Sequence, residues 1–135
     1  MNRFTKKNEG VSFIKNKMKI LVVEDEAISA LLLNIYLESL GYDIGEAVAT
    51  GEEAVLKANE VRPDIVLMDI QLAGEMNGID AAREIILRNK NTVIAFLTAY
   101  SDEETIARAK KLAPVAYLIK PFEMVELKNI IDSIQ

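Results

Sequence analysis

Short apolar runs alternate with longer segments of mixed apolar and polar residues along most of this chain. Four of the runs are rich in Ile, Val and Leu, and they lie at about residues 19–24, 63–69, 93–98 and 115–119. A weaker run over residues 43–49 is typical of an edge strand. Strands that alternate with helices predict a parallel sheet covered on both faces, because right-handed crossovers place the helices there. We therefore expect five strands and five helices in a three-layer α/β domain.

The first mixed segment predicts a helix from about Glu26 to Leu40. Gly41 follows it and can adopt the left-handed conformation that ends many helices. Apolar residues recur at helical spacing on one face of this segment. That face carries Ile28, Leu31, Leu32, Ile35 and Ser39.

Two capping-box sequences predict where later helices begin. Thr50 is followed three residues on by Glu53, and Ser101 is followed in the same way by Glu104. We therefore expect the second helix to start at Thr50 and to end before Pro63, and the fourth to start at Ser101.

The composition limits the chemistry. A chain of 135 residues, 50% of them hydrophobic, is long enough for one domain with a core and too short for two ordinary ones. It contains no Cys and no His, which excludes disulfides, thiol nucleophiles, His-containing triads and nearly all usual zinc or iron sites. No apolar run approaches the roughly 20 residues that span a bilayer, and no secretory signal is present, so we expect a cytoplasmic protein.

Charge is distributed unevenly. Residues 1–19 carry a net charge of +5, whereas the remainder carries −10. An acidic body argues against direct binding of nucleic acid by the folded part. We expect residues 1–17 to form a flexible basic N-terminal extension and residues 18–135 to form the domain.

Polar residues follow the ends of the strongest predicted strands. Glu24 and Asp25 follow the first, Asp69 ends the third, Thr98 ends the fourth, and Lys120 follows the fifth. Each alone has an ordinary structural explanation, such as a helix cap, a turn or a solvated amine. Together they would meet at the carboxyl edge of a parallel sheet, where ligands of open α/β folds bind.

The combination of residue types suits a divalent metal and a phosphoryl group. Two carboxylates about 4 Å apart repel by about 4 kcal/mol at an effective dielectric constant near 20. Mg²⁺, a hard cation with oxygen ligands, would offset that repulsion and could stabilise a phosphoryl group in transfer. Asp69 is the best candidate for a nucleophile, because the central strand places it in the middle of the site and carboxylates form aspartyl phosphates.

These residues resemble those of the receiver domain of response regulators over roughly residues 19–135. The resemblance implies a flavodoxin-like doubly wound sheet in the strand order 2-1-3-4-5. It also implies that Asp69 is the phosphoacceptor, that Thr98 and Tyr117 form the switch, and that Lys120 precedes a cis bond to Pro121.

The resemblance also implies a metal site for Mg²⁺, with Mn²⁺ as a possible substitute. Asp25, Asp69 and the backbone carbonyl of Gln71 would bind the ion directly, and Glu24 would act mainly through a coordinated water. The pair Glu24-Asp25 departs from the more frequent Asp-Asp, and the loop after Asp69 lacks the frequent Pro and is one residue longer than the common pattern.

A receiver of the single-domain type would take part in a two-component phosphorelay. Its partner would be a sensor histidine kinase or a phosphotransfer protein, and its downstream target is not indicated by the sequence. The output face would comprise the fourth helix, the last strand and the fifth helix, in a monomer or a weak homodimer. We expect no enzyme activity beyond Mg²⁺-dependent self-phosphorylation from phosphodonors and slow loss of the phosphate.

Three other classes share parts of this pattern. A phosphatase of the haloacid dehalogenase type needs an acid two residues after its nucleophile, where this chain has Gln71. A nucleotide or flavin binder would need a glycine-rich phosphate loop, and none follows the first strand. A phosphorylation-independent interaction module on the same fold is the most serious alternative, although it would not need Asp69, Thr98 and Lys120 together.

Overall fold

The computed structural model describes residues 17–135 and forms one five-stranded parallel sheet with helices on both faces. In chain order the elements are β1 (Lys19–Val23), α1 (Ala27–Ser39), β2 (Asp43–Ile44), α2 (Gly51–Val61), β3 (Ile65–Met68), α3 (Gly78–Arg88), β4 (Val93–Thr98), α4 (Glu103–Lys110), β5 (Ala116–Ile119) and α5 (Met124–Ser133). The sequence of elements is the one that the hydrophobic pattern predicts.

The strands lie in the order β2-β1-β3-β4-β5, which confirms the predicted flavodoxin-like topology. The register aligns the ends of the central strands, since Val23 of β1 pairs with Met68 of β3 and Thr98 of β4 pairs with Ile119 of β5. Because all strands run in parallel, the residues that follow these positions emerge at the same edge of the sheet.

Alternate side chains of the central strands supply two cores. In β3, Val66 and Met68 pack with α2, α3 and α4 on one face, whereas Ile65 and Leu67 pack with α1 and α5 on the other. Burial on both faces explains why β3 is apolar throughout, as strands inside parallel sheets are. The central strands are thereby held rigidly under the residues at their carboxyl ends.

Helix α1 differs from the expectation in the face that it buries. Its buried residues are Ala30, Leu33 and Leu37. The apolar face noted in the sequence points away from the sheet, and its large side chains are exposed: Ile28, Leu31, Leu32 and Ile35. The helix is apolar on both sides, so the spacing of apolar residues alone could not identify the inner one.

The predicted starts of α2 and α4 had different outcomes. The Thr50 hydroxyl accepts a hydrogen bond from the Glu53 amide at 3.0 Å, so the cap of α2 is confirmed. The prediction for α4 is wrong, because Asp102 rather than Ser101 is its N-cap. The Asp102 carboxylate accepts from both the amide and the hydroxyl of Thr105, at 2.9 and 2.7 Å, and both bonds go to the same oxygen, Oδ2.

Two further expectations concern the edge strand and the N-terminal residues. The edge strand is shorter than predicted, since β2 contains only Asp43–Ile44 and a single bridge joins Val48 to Val23 farther on. The basic extension predicted over residues 1–17 lies, except for its last residue, outside the described residues. Within residues 17–135, no helix combines the length and apolar character required to cross a membrane.

Candidate functional site

Three acidic side chains converge at the carboxyl edge of the sheet. Glu24 and Asp25 follow β1, and Asp69 follows β3. The Asp69 amide donates a hydrogen bond to the Val23 carbonyl at 3.1 Å. That hydrogen bond continues the strand pairing by one residue and fixes the two chain segments side by side. One carboxylate oxygen from each of the three acids lies within 4.8 Å of the others.

Two of these acids are buried although they are ionisable. Glu24 is 5% exposed and Asp69 is 7% exposed, whereas Asp25 lies open to solvent. Burial raises the pKa of Glu24, and the nearby charge of Asp69 adds to the effect, while hydrogen bonds from Lys120 and from the Glu26 amide oppose it. The site therefore concentrates negative charge where water screens it poorly.

Lys120 neutralises part of this charge. Its Nζ donates to Glu24 Oε1 at 2.7 Å and to Asp69 Oδ2 at 3.0 Å. Partial burial by itself would lower the pKa of Lys120, but the hydrogen bonds and charges of Glu24 and Asp69 raise it above its ordinary value. The ammonium group is thus held in its charged form. The peptide bond from Lys120 to Pro121 is cis, as expected.

Thr98 reaches the same edge from β4. Its side chain is completely buried, and its hydroxyl accepts a hydrogen bond from the Tyr100 amide at 3.3 Å. The Lys120 amide donates to the Thr98 carbonyl at 2.8 Å, which continues the pairing of β4 with β5. The backbone therefore joins the hydroxyl residue directly to the lysine.

Tyr117 lies on β5, opposite Phe96 of β4, and its ring centroid is 6.0 Å from that of Phe96. Its hydroxyl donates to the Tyr100 carbonyl at 2.9 Å. Burial raises the pKa of Tyr117, and the negative charges of Asp102 and Asp69 contribute in the same direction. The phenol is therefore linked to the segment between β4 and α4, the segment whose amide contacts the Thr98 hydroxyl.

The loop after β3 returns close to Asp69. The Gln71 amide lies 3.3 Å from Asp69 Oδ1 and donates to it, and the Gly78 amide donates to the Ile70 carbonyl at 2.8 Å. Asn77 caps α3 by accepting from the Asp80 amide at 2.9 Å. The loop is thus closed by backbone contacts, although it lacks a proline.

A cavity of about 270 Å³ opens over the acids, and it is lined by Asp25, Glu26, Asp69, Gln71, Thr98, Ala99 and Lys120. The acidic donors are all oxygen atoms, and no His or Cys occurs in the sequence. This donor set fits a hard cation such as Mg²⁺ and does not fit softer transition metals, which prefer nitrogen or sulfur. The cavity also leaves room for a phosphoryl group beside Asp69.

Two residues contribute to the site without having been predicted to do so. Glu26 lines the cavity, and its amide donates to Glu24 Oε2 at 3.1 Å. Gly78 packs against the Asp69 backbone, and a Cβ atom there would lie 2.0 Å from the Asp69 carbonyl oxygen. The only sign of this contact in the sequence was the glycine itself, at the start of α3, where a helix does not need one.

Comparisons with known proteins agree with this geometry. The family model described as "Response regulator receiver domain" matches residues 20–132. The chemotaxis protein CheY of Thermotoga maritima is 35% identical over 105 residues, which are 78% of this chain and 87% of that protein. The transcriptional regulatory protein PdtaR of Mycobacterium tuberculosis is 37% identical over 114 residues, 84% of this chain but 55% of that protein.

Solved structures show the same likeness. The signal receiver domain of a modulated diguanylate cyclase from Desulfovibrio desulfuricans is 41% identical with a TM-score of 0.80, and the match covers 87% of this chain and 93% of that one. The response regulator TrrA of Thermotoga maritima, solved in complex with Mg²⁺ and BeF, is 33% identical with a TM-score of 0.77. The match covers 87% of this chain and 99% of that one. The chain therefore belongs to the receiver domain family of two-component response regulators.

Proposed function

We propose that Asp69 accepts a phosphoryl group from a phosphohistidine of a sensor histidine kinase or a phosphotransfer protein. The observation that carries this proposal is the position of the Asp69 carboxylate. It lies at the end of the central strand, 3.0 Å from Lys120 Nζ and within reach of two further acids, and it faces a cavity also lined by Thr98. A nucleophile, a cation and a hydroxyl donor thus surround one open volume.

In the transfer, an Asp69 carboxylate oxygen forms a bond to phosphorus as the bond from phosphorus to the donor's imidazole nitrogen breaks. The electron pair of that bond stays on the nitrogen, and the ring leaves as neutral imidazole because its other nitrogen carries a proton taken up from solvent. The product is an acyl phosphate, and its hydrolysis at Asp69 would account for slow autodephosphorylation. One Asp69 carboxylate takes up one phosphoryl group and no residue is oxidised or reduced, so the protein acts as a phosphoacceptor and not as an enzyme on exogenous substrates.

Asp25, Asp69 and the Gln71 backbone carbonyl would hold Mg²⁺, or Mn²⁺ in its place, with Glu24 acting through a coordinated water. When bound, the ion would offset the negative charge on the transferring phosphoryl oxygens. The exposed position of Asp25 leaves it accessible at the mouth of the cavity, whereas the burial of Asp69 fixes its orientation.

Lys120 and Thr98 would bind the phosphate once it is attached. Lys120 Nζ already donates to Asp69, and it would transfer a hydrogen bond to a phosphoryl oxygen, since charge-assisted bonds of this kind are strong. The Thr98 hydroxyl accepts from the Tyr100 amide and keeps its own proton to donate. Both groups would therefore favour the phosphorylated form over the free one.

A shift of Thr98 toward the phosphate would pull on the segment that holds Tyr117. The Tyr100 amide contacts the Thr98 hydroxyl, and the Tyr100 carbonyl accepts from Tyr117. Movement of this segment changes the position of the Tyr117 side chain, and with it the surface formed by α4, β5 and α5. That surface would bind a downstream protein, or a second copy weakly, in the cytoplasm where a sensor kinase presents its phosphohistidine.

The direct test is incubation with Mg²⁺ and acetyl phosphate, followed by intact mass measurement. The wild type should gain one phosphate, and Asp69→Asn should gain none. Asp64→Asn is a matched control, because Asp64 precedes the same strand at its opposite end and is exposed; it should be labelled as the wild type is. Failure of the wild type to accept phosphate from acetyl phosphate and from every kinase tested would contradict the proposal.

The phosphorylation-independent module is not favoured by the site. Its function would not require a buried carboxylate, a buried hydroxyl and an ammonium group around one cavity, yet Asp69, Thr98 and Lys120 all lie there. A Mg²⁺ titration followed by NMR separates the two: the receiver should show saturable shifts at Asp69 and its neighbours, and the module should show none.

A further inference from the structure

The β3–α3 loop, residues 69–77, carries two of the proposed Mg²⁺ ligands, the Asp69 carboxylate and the Gln71 backbone carbonyl. The direction of a backbone carbonyl is set by the dihedral angles around it, and therefore by the path of the chain. Asp69 is held beside β1 by the hydrogen bond from its amide to the Val23 carbonyl. Gln71 is exposed, and residues 72–76, which follow it, belong to no helix or strand. The direction of the Gln71 carbonyl thus depends on what holds this part of the loop.

The start of α2, residues 50–52, contacts the β3–α3 loop through its backbone. Thr50 and Ala73 form an isolated parallel bridge. The stretch just before it also contacts the acidic pair, because the Val48 carbonyl accepts from the Glu24 amide at 2.9 Å. The chain that enters α2 therefore joins the residues that follow β1 to the loop that follows β3.

Gly51, the first residue of α2, brings the helix directly against Met76. A Cβ atom at Gly51 would lie 2.8 Å from the Met76 carbonyl oxygen and 2.9 Å from its Cγ, closer than such atoms pack. Gly51 is buried, and the half-buried Leu72 and Met76 pack against the core that contains Ala54 and Val55 of α2. The loop therefore rests on the helix at a distance that a larger residue at this position would not allow.

Glu52 adds a hydrogen bond from its side chain to the same loop. Its Oε2 accepts from the Met76 amide at 3.3 Å. A Cβ atom at Gly74 would lie 3.0 Å from Glu52 Oε1, and Gly74 has a φ of +88°, a left-handed conformation that favours glycine. The carboxylate of Glu52 thus contacts the outer part of the loop from Gly74 to Met76.

Capping of α2 does not account for Glu52. The capping contacts come from Glu53, whose Oε1 accepts from the Thr50 hydroxyl at 3.2 Å and from the Ala49 amide at 3.3 Å. A negative charge in the first turn of a helix is favourable in itself. That effect would explain an acid at position 52, but not its hydrogen bond to Met76, a residue 24 positions away along the chain.

We propose that Gly51 and Glu52 are positioning residues for the Mg²⁺ site, and that they hold the β3–α3 loop in the path that presents the Gln71 carbonyl to the ion. This inference rests on the proposed phosphoacceptor function, since it concerns a ligand of that site. The loop contains no proline and includes a glycine, so its own sequence does little to restrict its backbone. The start of α2 supplies that restriction from outside the loop.

Isothermal titration calorimetry of Mg²⁺ binding tests the role of Glu52. Glu52→Ala removes the acceptor and should weaken binding about tenfold, at the low end of the effect of residues that orient metal ligands. Glu52→Gln removes the charge but keeps an acceptor oxygen, and should weaken binding only about threefold, because a neutral hydrogen bond is weaker than a charge-assisted one. Glu60→Ala is the matched control, since it removes the same charge from an exposed position near the other end of α2, and it should leave the affinity unchanged.

NMR measures the loop and the ligand separately. In the metal-free protein, the heteronuclear NOE values of residues 72–76 should be close to those of the strands, and they should fall in Glu52→Ala and in Gly51→Ala. On addition of Mg²⁺ the ¹³C signal of the Gln71 carbonyl should shift, and both variants should need more Mg²⁺ for the same shift. Gly45→Ala is the control for the second variant, because nothing lies within 4 Å of a Cβ atom there. Dispersed strand signals in each spectrum show that the domain is folded.

The outcomes separate this inference from the proposed function. Equal losses of affinity in Glu52→Ala and Glu52→Gln would overturn the inference in favour of a general effect of charge. An unchanged Mg²⁺ affinity in Glu52→Ala, whether or not the loop loses order, would also overturn it, while Mg²⁺ binding by the wild type would leave the phosphoacceptor function standing. If the wild type itself showed no saturable shift at Gln71, the metal site would be wrong, and the proposed function and this inference would fail together.

Discussion

Lys120 Nζ lies 3.0 Å from Asp69 Oδ2 and 2.7 Å from Glu24 Oε1, so one ammonium group is shared between the proposed phosphoacceptor and its buried neighbour. The lysine reaches this position from the end of β5, two strands away from Asp69. This relationship explains how two nearly buried carboxylates coexist in the free protein. It also places a cation where phosphate charge would appear.

Lys120→Met should destabilise the protein when no divalent cation is present. It leaves Glu24 and Asp69 buried and unpaired, which we expect to cost about 2–3 kcal/mol, less than for a fully buried pair because the lysine side chain is 28% exposed. Urea unfolding with and without Mg²⁺ measures the effect, and Mg²⁺ should restore part of the loss. Lys57→Met breaks an exposed pair with Glu60 and should change stability by less than about 1 kcal/mol. Equal effects of the two variants would contradict the role given to Lys120.

Gly78→Ala should be strongly destabilising. Its Cβ would lie 2.0 Å from the Asp69 carbonyl oxygen, so either the loop or the start of α3 must move, at a cost of about 3 kcal/mol or more. Gly45→Ala is the matched control, because nothing lies within 4 Å of a Cβ at that position. Thermal unfolding compares the two variants, and similar melting temperatures would show that the close approach at Asp69 is not required.

Asp25→Asn should weaken Mg²⁺ binding at least about tenfold, corresponding to about 1.4 kcal/mol, because it removes one charged ligand from the acidic cluster. Asp25 is exposed, so the fold should be preserved. Isothermal titration calorimetry gives the affinity directly. Glu26→Gln removes the negative charge of another residue that lines the cavity but is not a proposed ligand, and it should cause a smaller loss. A larger loss in Glu26→Gln would reassign the ligand.

Thr98→Val should still accept phosphate at Asp69 but should no longer transmit it to Tyr117. Valine keeps the shape of the fully buried side chain and removes the hydroxyl that contacts the Tyr100 amide, at a cost of about 1 kcal/mol in stability. The response is measured as the change in the NMR signals of the Tyr117 ring between the free protein and its complex with Mg²⁺ and BeF. Thr98→Ser keeps the hydroxyl and should retain the response. A full response in Thr98→Val would show that the hydroxyl is not the link.

The site was more predictable from sequence than the details of the helices. Parallel strands end at one edge, so polar residues at strand ends had to meet, and Glu24, Asp69 and Lys120 do so. One outcome depended on tertiary packing that no local pattern encodes. The sheet buries Leu33 and not Leu32 of a helix that is apolar on both sides.

The N-cap of α4 and the contact made by Gly78 were missed for two different reasons. At the start of α4, two adjacent residues could cap the helix, and Asp102 does so because its carboxylate accepts two hydrogen bonds from Thr105. The contact between Gly78 and the Asp69 backbone joins residues nine positions apart through a loop whose path the sequence did not define.

Chemical trapping of the phosphorylated residue tests the central claim most directly. Borohydride reduces an acyl phosphate of aspartate to homoserine, and trypsin should release residues 58–83, which contain three aspartates: Asp64, Asp69 and Asp80. After phosphorylation and reduction, fragmentation of this peptide should place homoserine at Asp69 alone. Homoserine at Asp64, at Asp80 or in another peptide, or none despite uptake of phosphate, would contradict the account.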